Sequence, residues 1–202
     1  MKKKHSSYLA LILARAGSKR LKNKNILKLK KKTLTEITIE KLKKIEYLFK
    51  DILISSDSTV IKKIAKKKNI LFLDRPKYLS HGKVSSEAAA LHAVNYYEKK
   101  YFKIKYIILF QVTSPFRRNL TIKKAINLSK KFPNKQIVGV NKDKVTPNGV
   151  IYLTPKKLLK KYKHFSKSKK FIPLVIKSNL EKLDIDYKSD FEKAKNFSKK
   201  NI

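Results

Sequence analysis

Cysteine is absent from the 202 residues. That excludes a disulfide scaffold, cysteine-ligated zinc, an iron–sulfur cluster and a thiolate nucleophile. Long apolar runs are absent too. The longest, such as 8–14 and 106–110, fall well below the roughly 20 residues that cross a bilayer as a helix. Residues 1–7 are a polar, basic tip without the cleavage pattern of a secretory signal, so the expectation is a cytoplasmic protein that does not engage a membrane. Acids are scarce, 14 against 52 lysines and arginines, for a net charge of +38. Arginine is scarcer still: Arg15, Arg20, Arg75, Arg117 and Arg118 are the whole set, and every other base is lysine.

Such a charge invites a nucleic-acid reading. Base-edge readers and phosphate clamps, however, favour the planar arginine fork, and here lysine is spread along almost every expected helix. Abundant Lys, Ile and Asn with little Arg and only four glycines fits drift toward A/T-rich codons. No specific nucleic-acid partner is therefore expected, while the charge still favours small anionic substrates. Hydrophobic residues make up 42% of the chain, enough for a core, and the length corresponds to about one domain.

Short apolar runs alternate with helical patterns. Segments 8–14, 51–56, 71–73, 106–111 and 136–140 read as strands. Helices are expected after Ser58, an N-cap, with Val60, Ile61, Ile64 and Ala65 on one face. Another begins near Ser85 with Ala88, Leu91 and Val94, and a third carries Ile122, Ala125 and Ile126. Alternation of this kind argues for an α/β fold with a mostly parallel sheet covered on both faces. In the last third, 148–153 and 172–176 read as strands and 155–162 as a basic helix. Ser189-Asp190-Phe191-Glu192 has the form of a capping box opening a final helix.

In an open parallel sheet, ligands bind beyond the carboxyl ends of the strands. The first strand is followed there by Ala14-Arg15-Ala16-Gly17-Ser18-Lys19-Arg20-Leu21-Lys22-Asn23-Lys24-Asn25. Gly17 permits backbone N–H groups to face an anion, and Arg15, Lys19 and Lys24 supply charge. The loop is neither a Walker sequence nor a dinucleotide fingerprint. Ser55-Ser56-Asp57-Ser58 and Gln111-Val112-Thr113-Ser114-Pro115-Phe116-Arg117 follow the second and fourth strands at the same edge. Near the carboxyl end stands Asp184-Ile185-Asp186. In extended chain, residues i and i+2 share a face, so both carboxylates can converge on one hard cation. His5, His81, His92 and His164 lack ligand spacing, and no role is assigned to them.

The order of these blocks resembles the cytidylyltransferases that activate sialic-acid-type sugars, the acylneuraminate synthetases and their relatives. LILARAGSKRLKNKNI, ILISSDS, LDRPKYLS, LFQVTSPFR, NGVIYL and LDIDYKSDFEKA occur in the family's order and cover most of the chain. The resemblance implies a three-layer, Rossmann-like nucleotidyltransferase fold, with 1–202 as a single domain. It implies transfer of CMP from CTP to an acidic nine-carbon sugar, with release of pyrophosphate and magnesium as the cofactor. It also implies a homodimer. On matching positions, Arg15, Ser18, Lys24 and Asn25 would hold the triphosphate beside Lys19, and Arg75 and Ser86 would seat cytosine and ribose. Gln111 would lie between nucleotide and sugar, with Asn148 and Tyr152 on the sugar side. Asp184 and Asp186 would hold magnesium, and Arg15, Lys24 and Asp184 are the residues marked for catalysis. Departures are visible as well. Only 141–147 bridges the fifth strand to the Asn-Gly block, where the family carries a long segment, so Lys142 or Lys144 is left to meet the sugar carboxylate. Gly82 stands near the usual acid, and 30–33 lacks the usual glycine.

Overall fold

The computed structural model describes residues 6–18, 20–166 and 171–200. In chain order it begins with β1 (Tyr8–Leu13), a hairpin of β2 (Lys28–Leu29) and β3 (Lys32–Thr33), and α1 (Leu34–Lys43). Next come β4 (Asp51–Ser56), α2 (Thr59–Lys67), β5 (Leu71–Asp74), α3 (Ser86–Lys100), β6 (Tyr106–Phe110) and α4 (Asn119–Lys131). The last part holds β7 (Ile137–Val140), β8 (Pro147–Pro155), α5 (Lys156–Tyr162), β9 (Ile172–Val175) and α6 (Lys188–Lys200). Seven strands form one sheet in the order β5-β4-β1-β6-β8-β7-β9. Only β8 runs against the rest, so the sheet is mostly parallel as its apolar runs imply.

Alternation along β1 shows why the sheet is covered twice. Tyr8, Ala10 and Ile12 belong to one core with residues of α1, α2, α4 and α6, including Leu34, Ile61, Ile122 and Phe191. Leu9 and Leu11 belong to a second core, with Ala90, Val94 and Tyr97 of α3 and Leu159 of α5. A strand sends successive side chains to opposite faces, so an unbroken apolar run has to be buried on both. Each fully buried Leu or Ile contributes about 1.5–3 kcal/mol relative to exposure.

Helix starts are set by local hydrogen bonds. Ser58 Oγ accepts from Ile61 N–H (3.3 Å) and Ser85 Oγ from Ala88 N–H (3.1 Å), as their types and positions imply. The Ser189–Glu192 capping box does not open the last helix. It starts at Lys188, and Asp190 Oδ2 accepts from the N–H groups of Asp186 (3.1 Å) and Tyr187 (2.9 Å). The shorter side chain, one turn in, reaches exposed donors and ties the helix to the acid segment before it. A true capping box lies at α1, a helix the periodicity reading passed over. Thr33 Oγ1 accepts from Glu36 N–H (3.1 Å) while Glu36 Oε2 accepts from Thr33 N–H (2.8 Å). In the preceding hairpin, Lys30 takes a left-handed φ of 55°, the position at which a glycine would be unstrained.

The 141–147 bridge is a tight hairpin joining β7 to β8. Asn141 N–H donates to Thr146 O (3.0 Å), and Asp143 Oδ1 accepts from Val145 and Thr146 N–H (3.0 Å each). Among the described residues, no helix is long and apolar enough to cross a membrane.

Thr33→Ala is expected to lower stability by about 1 kcal/mol through loss of the cap. The Glu36 carboxyl lies below its ordinary range, chiefly because it accepts the Thr33 backbone bond. A depressed carboxylate stabilises above its unfolded-state pKa, and that contribution fades as pH falls through the folded value. The difference between Glu36→Gln, which cannot ionise, and the parent in urea unfolding should therefore be largest near neutrality and shrink in acid.

Candidate active site

β1, β4, β5 and β6 all end at one edge of the sheet, and β8 enters from that same edge at Pro147–Gly149 because it runs the opposite way. The loops leaving these ends surround a cavity of about 290 Å³. Arg15, Lys24 and Asn25 line it from the amino-terminal loop, and Arg75 and Ser86 from beyond β5. Gln111 enters from the end of β6, and Asp184 and Asp186 from the carboxyl-terminal segment. Ser18 faces an adjoining cavity of about 370 Å³, which shares Arg15, Arg20, Lys24 and Asn25 with the first. Lys19 lies outside the described residues.

Asn25 shapes the basic loop. Its Nδ2 donates to Arg15 O (2.8 Å), and its own carbonyl accepts from Thr35 Oγ1 (2.7 Å). Asn23 turns the chain with a left-handed φ of 56° into a short 3-10 turn at Lys24–Ile26. Ala16 N–H donates to Asp57 Oδ1 (2.7 Å), which joins the loop to the polar residues after β4. Gly17 has open space around it and does not adopt a left-handed φ, so neither close packing nor backbone conformation demands a glycine there.

The two acids are presented by a backbone tie. Ile185 is fully buried and its N–H donates to Thr113 O (2.8 Å), in the loop after β6. With Ile185 turned inward, Asp184 and Asp186 both line the cavity. Asp186 receives Lys24 Nζ at 2.6 Å and Arg20 at 2.7 Å, an ion pair that joins the amino-terminal loop to the carboxyl-terminal acids. Asp184 is half-buried, and its Oδ1 lies out of water without a hydrogen-bond partner. Burial pushes its carboxyl up, with Asp186 adding to the effect and Thr113, Lys24 and Arg117 opposing it. A buried, unpaired acceptor of this kind is costly unless a ligand supplies a donor or a cation.

Arg117 is the support that the residue-by-residue reading left without a role, although Gln-x-Thr-Ser-Pro-x-Arg was its signal. It is buried, donates from Nε to Val150 O and from a terminal nitrogen to Gln111 O (3.1 Å), and lies 5.2 Å from the centre of the Phe110 ring. It thereby fastens the end of β6 to the start of β8. Burial lowers its pKa to about 10. Arg75 is also buried, donating to Ser55 Oγ (3.1 Å) and Ser55 O (2.5 Å), and burial lowers its pKa to about 10.

Gly149 was likewise missed, although Asn-Gly before an apolar run is a turn signal. Its φ is +77°, and a Cβ there would come within 2.9 Å of Gln111 Oε1 and 3.4 Å of Asp184 Oδ2. A side chain there would press on Gln111 and touch Asp184. Gln111 Oε1, like Asp184 Oδ1, is buried without a partner.

Asn148 and Tyr152 do not line the cavity. Asn148 Oδ1 accepts from Val150 N–H (3.2 Å) and turns toward Gly139 in β7. Tyr152 packs beside Phe165, and its hydroxyl pKa is raised by burial and by the nearby charges of Asp184 and Glu87. Lys142 and Lys144 are exposed on the 141–147 hairpin and are not among the residues that line the cavity. His81, for which no role was expected, lines the cavity wall.

A polyanion-sized cleft with cations from one loop and paired acids from another, at the carboxyl edge of such a sheet, defines a Rossmann-like nucleotidyltransferase. The fold agrees with solved structures. A cytidylyltransferase from Leptospira borgpetersenii serovar Hardjo-bovis superposes with a TM-score of 0.72 at 19% identity, covering 98% of this chain and 89% of that one. A CMP:2-keto-3-deoxy-manno-octonic acid synthetase complexed with CTP gives a TM-score of 0.72 at 13% identity, covering 98% and 100%. In sequence, residues 9–202 match the cytidylyltransferase family model. The chain belongs to the cytidylyltransferase family. It is 30% identical to an N-acylneuraminate cytidylyltransferase of Escherichia coli O18:K1:H7 over 92% of its own length, and it spans about half (51%) of that relative.

Asp184→Asn should raise the thermal midpoint of the metal-free protein, because it relieves the desolvation of a carboxylate whose Oδ1 has no partner, while abolishing turnover. Gly149→Ala should cost about 1–3 kcal/mol in a denaturant titration from the left-handed backbone alone, and should depress turnover further by displacing Gln111.

Proposed function

We propose that this protein transfers CMP from CTP to the anomeric hydroxyl of a nonulosonic, sialic-acid-type sugar acid and releases pyrophosphate, with magnesium as cofactor. The observation that carries the reading is the Lys24–Asp186 ion pair, at 2.6 Å, beside the unpartnered Asp184 oxygen. It unites the two motifs most characteristic of the resemblance in one cavity. Family membership and the N-acylneuraminate relative support the donor and the acceptor class.

In this reading Arg15, Ser18, Lys19, Lys24 and Asn25 hold the triphosphate, offsetting the repulsion between a polyanion and an anionic sugar. Arg75 and Ser86 seat the nucleoside, and Gln111 orients the acceptor. The new bond joins the anomeric oxygen to the α-phosphorus as the bond to the bridging oxygen breaks, and the electron pair leaves on pyrophosphate. In-line alignment of the two oxygens is the main demand on the protein, so rigid support of Gln111 by Arg117 contributes through positioning. Asp184, its carboxyl raised by burial, is suited to accept the hydroxyl proton.

Asp184 and Asp186 are oxygen donors, and among the described residues no group of three or more His, Cys, Asp or Glu gathers to hold a metal. Magnesium fits such a pair, since it keeps waters and is commonly held by one or two carboxylates together with substrate phosphates. Bound there, it would neutralise charge on the phosphates. These substrates suit a cytoplasmic location.

A smaller sugar acid is the second reading, favoured by the tight 141–147 hairpin, whose Lys142 and Lys144 stand outside the cavity. A pyrophosphate-release screen with CTP or ATP against nonulosonic and shorter 2-keto sugar acids decides between them. Turnover with CTP and a nonulosonate is expected. Lys24→Ala, or Asp184→Ala with Asp186→Ala, should lower it by about 10²–10³, and chelation of divalent metal should remove it. No turnover with any acid, in folded protein that binds CTP, would overturn the proposal.

A further inference from the structure

The loop leading into α3 crosses the mouth of both cavities. Its Leu79, His81, Val84 and Ser85 line the cavity that contains Arg75 and Ser86. Its Gly82 and Lys83 instead line the adjoining cavity, together with Arg15, Ser18, Arg20 and Lys24. One loop therefore addresses both ends of an elongated ligand, with apolar and ring groups at one end and a cation at the other.

Charge is divided unequally between the two spaces. Asp184 and Asp186 line the first, whereas among the described residues no acidic one lines the second. Arg20 and Lys24 are each engaged by Asp186. Arg15 and Lys83 have no carboxylate partner among the described residues, and they come from the two loops on either side of the second cavity. Two uncompensated cations, the hydroxyl of Ser18 and the absence of an acid make that space suited to an anion with several oxygens.

We infer that Lys83 is a specificity-determining residue for the polyphosphate end of the nucleotide, contacting the two phosphates that leave as pyrophosphate and not the phosphate retained in the product. The inference rests on the cytidylyltransferase reading and adds a residue from the loop facing the glycine-containing turn. Gly82, beside it, lines the same cavity and has no side chain of its own to occupy it. Lys83 then separates CTP from CMP: the reactant carries the group it touches and the spent nucleotide does not. Its contact is broken when pyrophosphate departs.

Lys83 is exposed, so its replacement leaves the fold intact. The experiment is calorimetric titration of the full chain with CTP, CMP and inorganic tripolyphosphate. The parent is compared with Lys83→Ala, Lys83→Arg and, as a control for the overall positive field, Lys130→Ala on the exposed face of α4. Lys83→Ala should weaken CTP and tripolyphosphate by about tenfold and leave CMP unchanged. Lys83→Arg should restore most of the loss, and Lys130→Ala should alter none of the three. Unchanged CTP and tripolyphosphate affinities in Lys83→Ala, or an equal loss for CMP, would overturn the assignment. So would an equal effect of Lys130→Ala. If the parent, titrated also with ATP, shows no preference for CTP, the cytidylyl reading fails, and the tripolyphosphate titration still decides whether Lys83 holds phosphate.

Discussion

The bond from Ile185 N–H to Thr113 O is the constraint on which the cleft depends. Ile185 fills the core, so the segment cannot slide without exposing it, and a one-residue shift in extended chain would turn both acids away from the cavity. From that fixed position Asp186 draws Lys24 and Arg20 inward across the cleft. The amino-terminal and carboxyl-terminal parts of the chain thereby close on one another, and neither motif is a site without the other. Asp190 reinforces the arrangement from the far side by binding the Asp186 N–H at the start of α6.

Against a net charge of +38, the few arginines and acids have distinct tasks. Arg75 and Arg117 are buried and spend their forks on main-chain carbonyls beside the cleft, at Ser55, Gln111 and Val150. A guanidinium can bridge several acceptors at fixed angles, which a lysine ammonium cannot do with the same rigidity. They act as internal staples that hold the sheet edge in shape while keeping positive potential beneath it. Most of the described lysines, by contrast, are exposed to solvent, on helices and loops alike, where their charges are screened and contribute little to the fold.

The parallel sheet, its two covers and the edge that carries the cleft were legible in the linear chain, because strand and helix periods differ and 106–110 or 8–13 can only be buried on both faces. Asp184 and Asp186 were legible for the same reason, since extended spacing defines a shared side. The capping residue of α6 was not. Ser189 and Glu192 have the right types, but Asp190 takes the N–H groups of Tyr187 and Asp186, two and three residues before Ser189. Helix α1 escaped because its apolar stripe is short, although Thr33 and Glu36 marked its start. Asn148 and Tyr152 carry a resemblance to sugar-side residues, yet β8 turns one toward β7 and packs the other beside Phe165.

Sequence alone determined which residues bear chemistry, since charge, hydrogen-bonding capacity and side-chain alternation are properties of residue type and spacing. Tertiary structure alone decided which of them meet. Gly149 lies 38 positions after Gln111 and 35 before Asp184 in the chain, yet a Cβ there would press on Gln111 Oε1 and touch Asp184 Oδ2. No local pattern encodes that approach. It arises because an antiparallel strand enters a parallel sheet at the edge where every other strand ends, and backbone packing there sets distances that spacing along the chain does not.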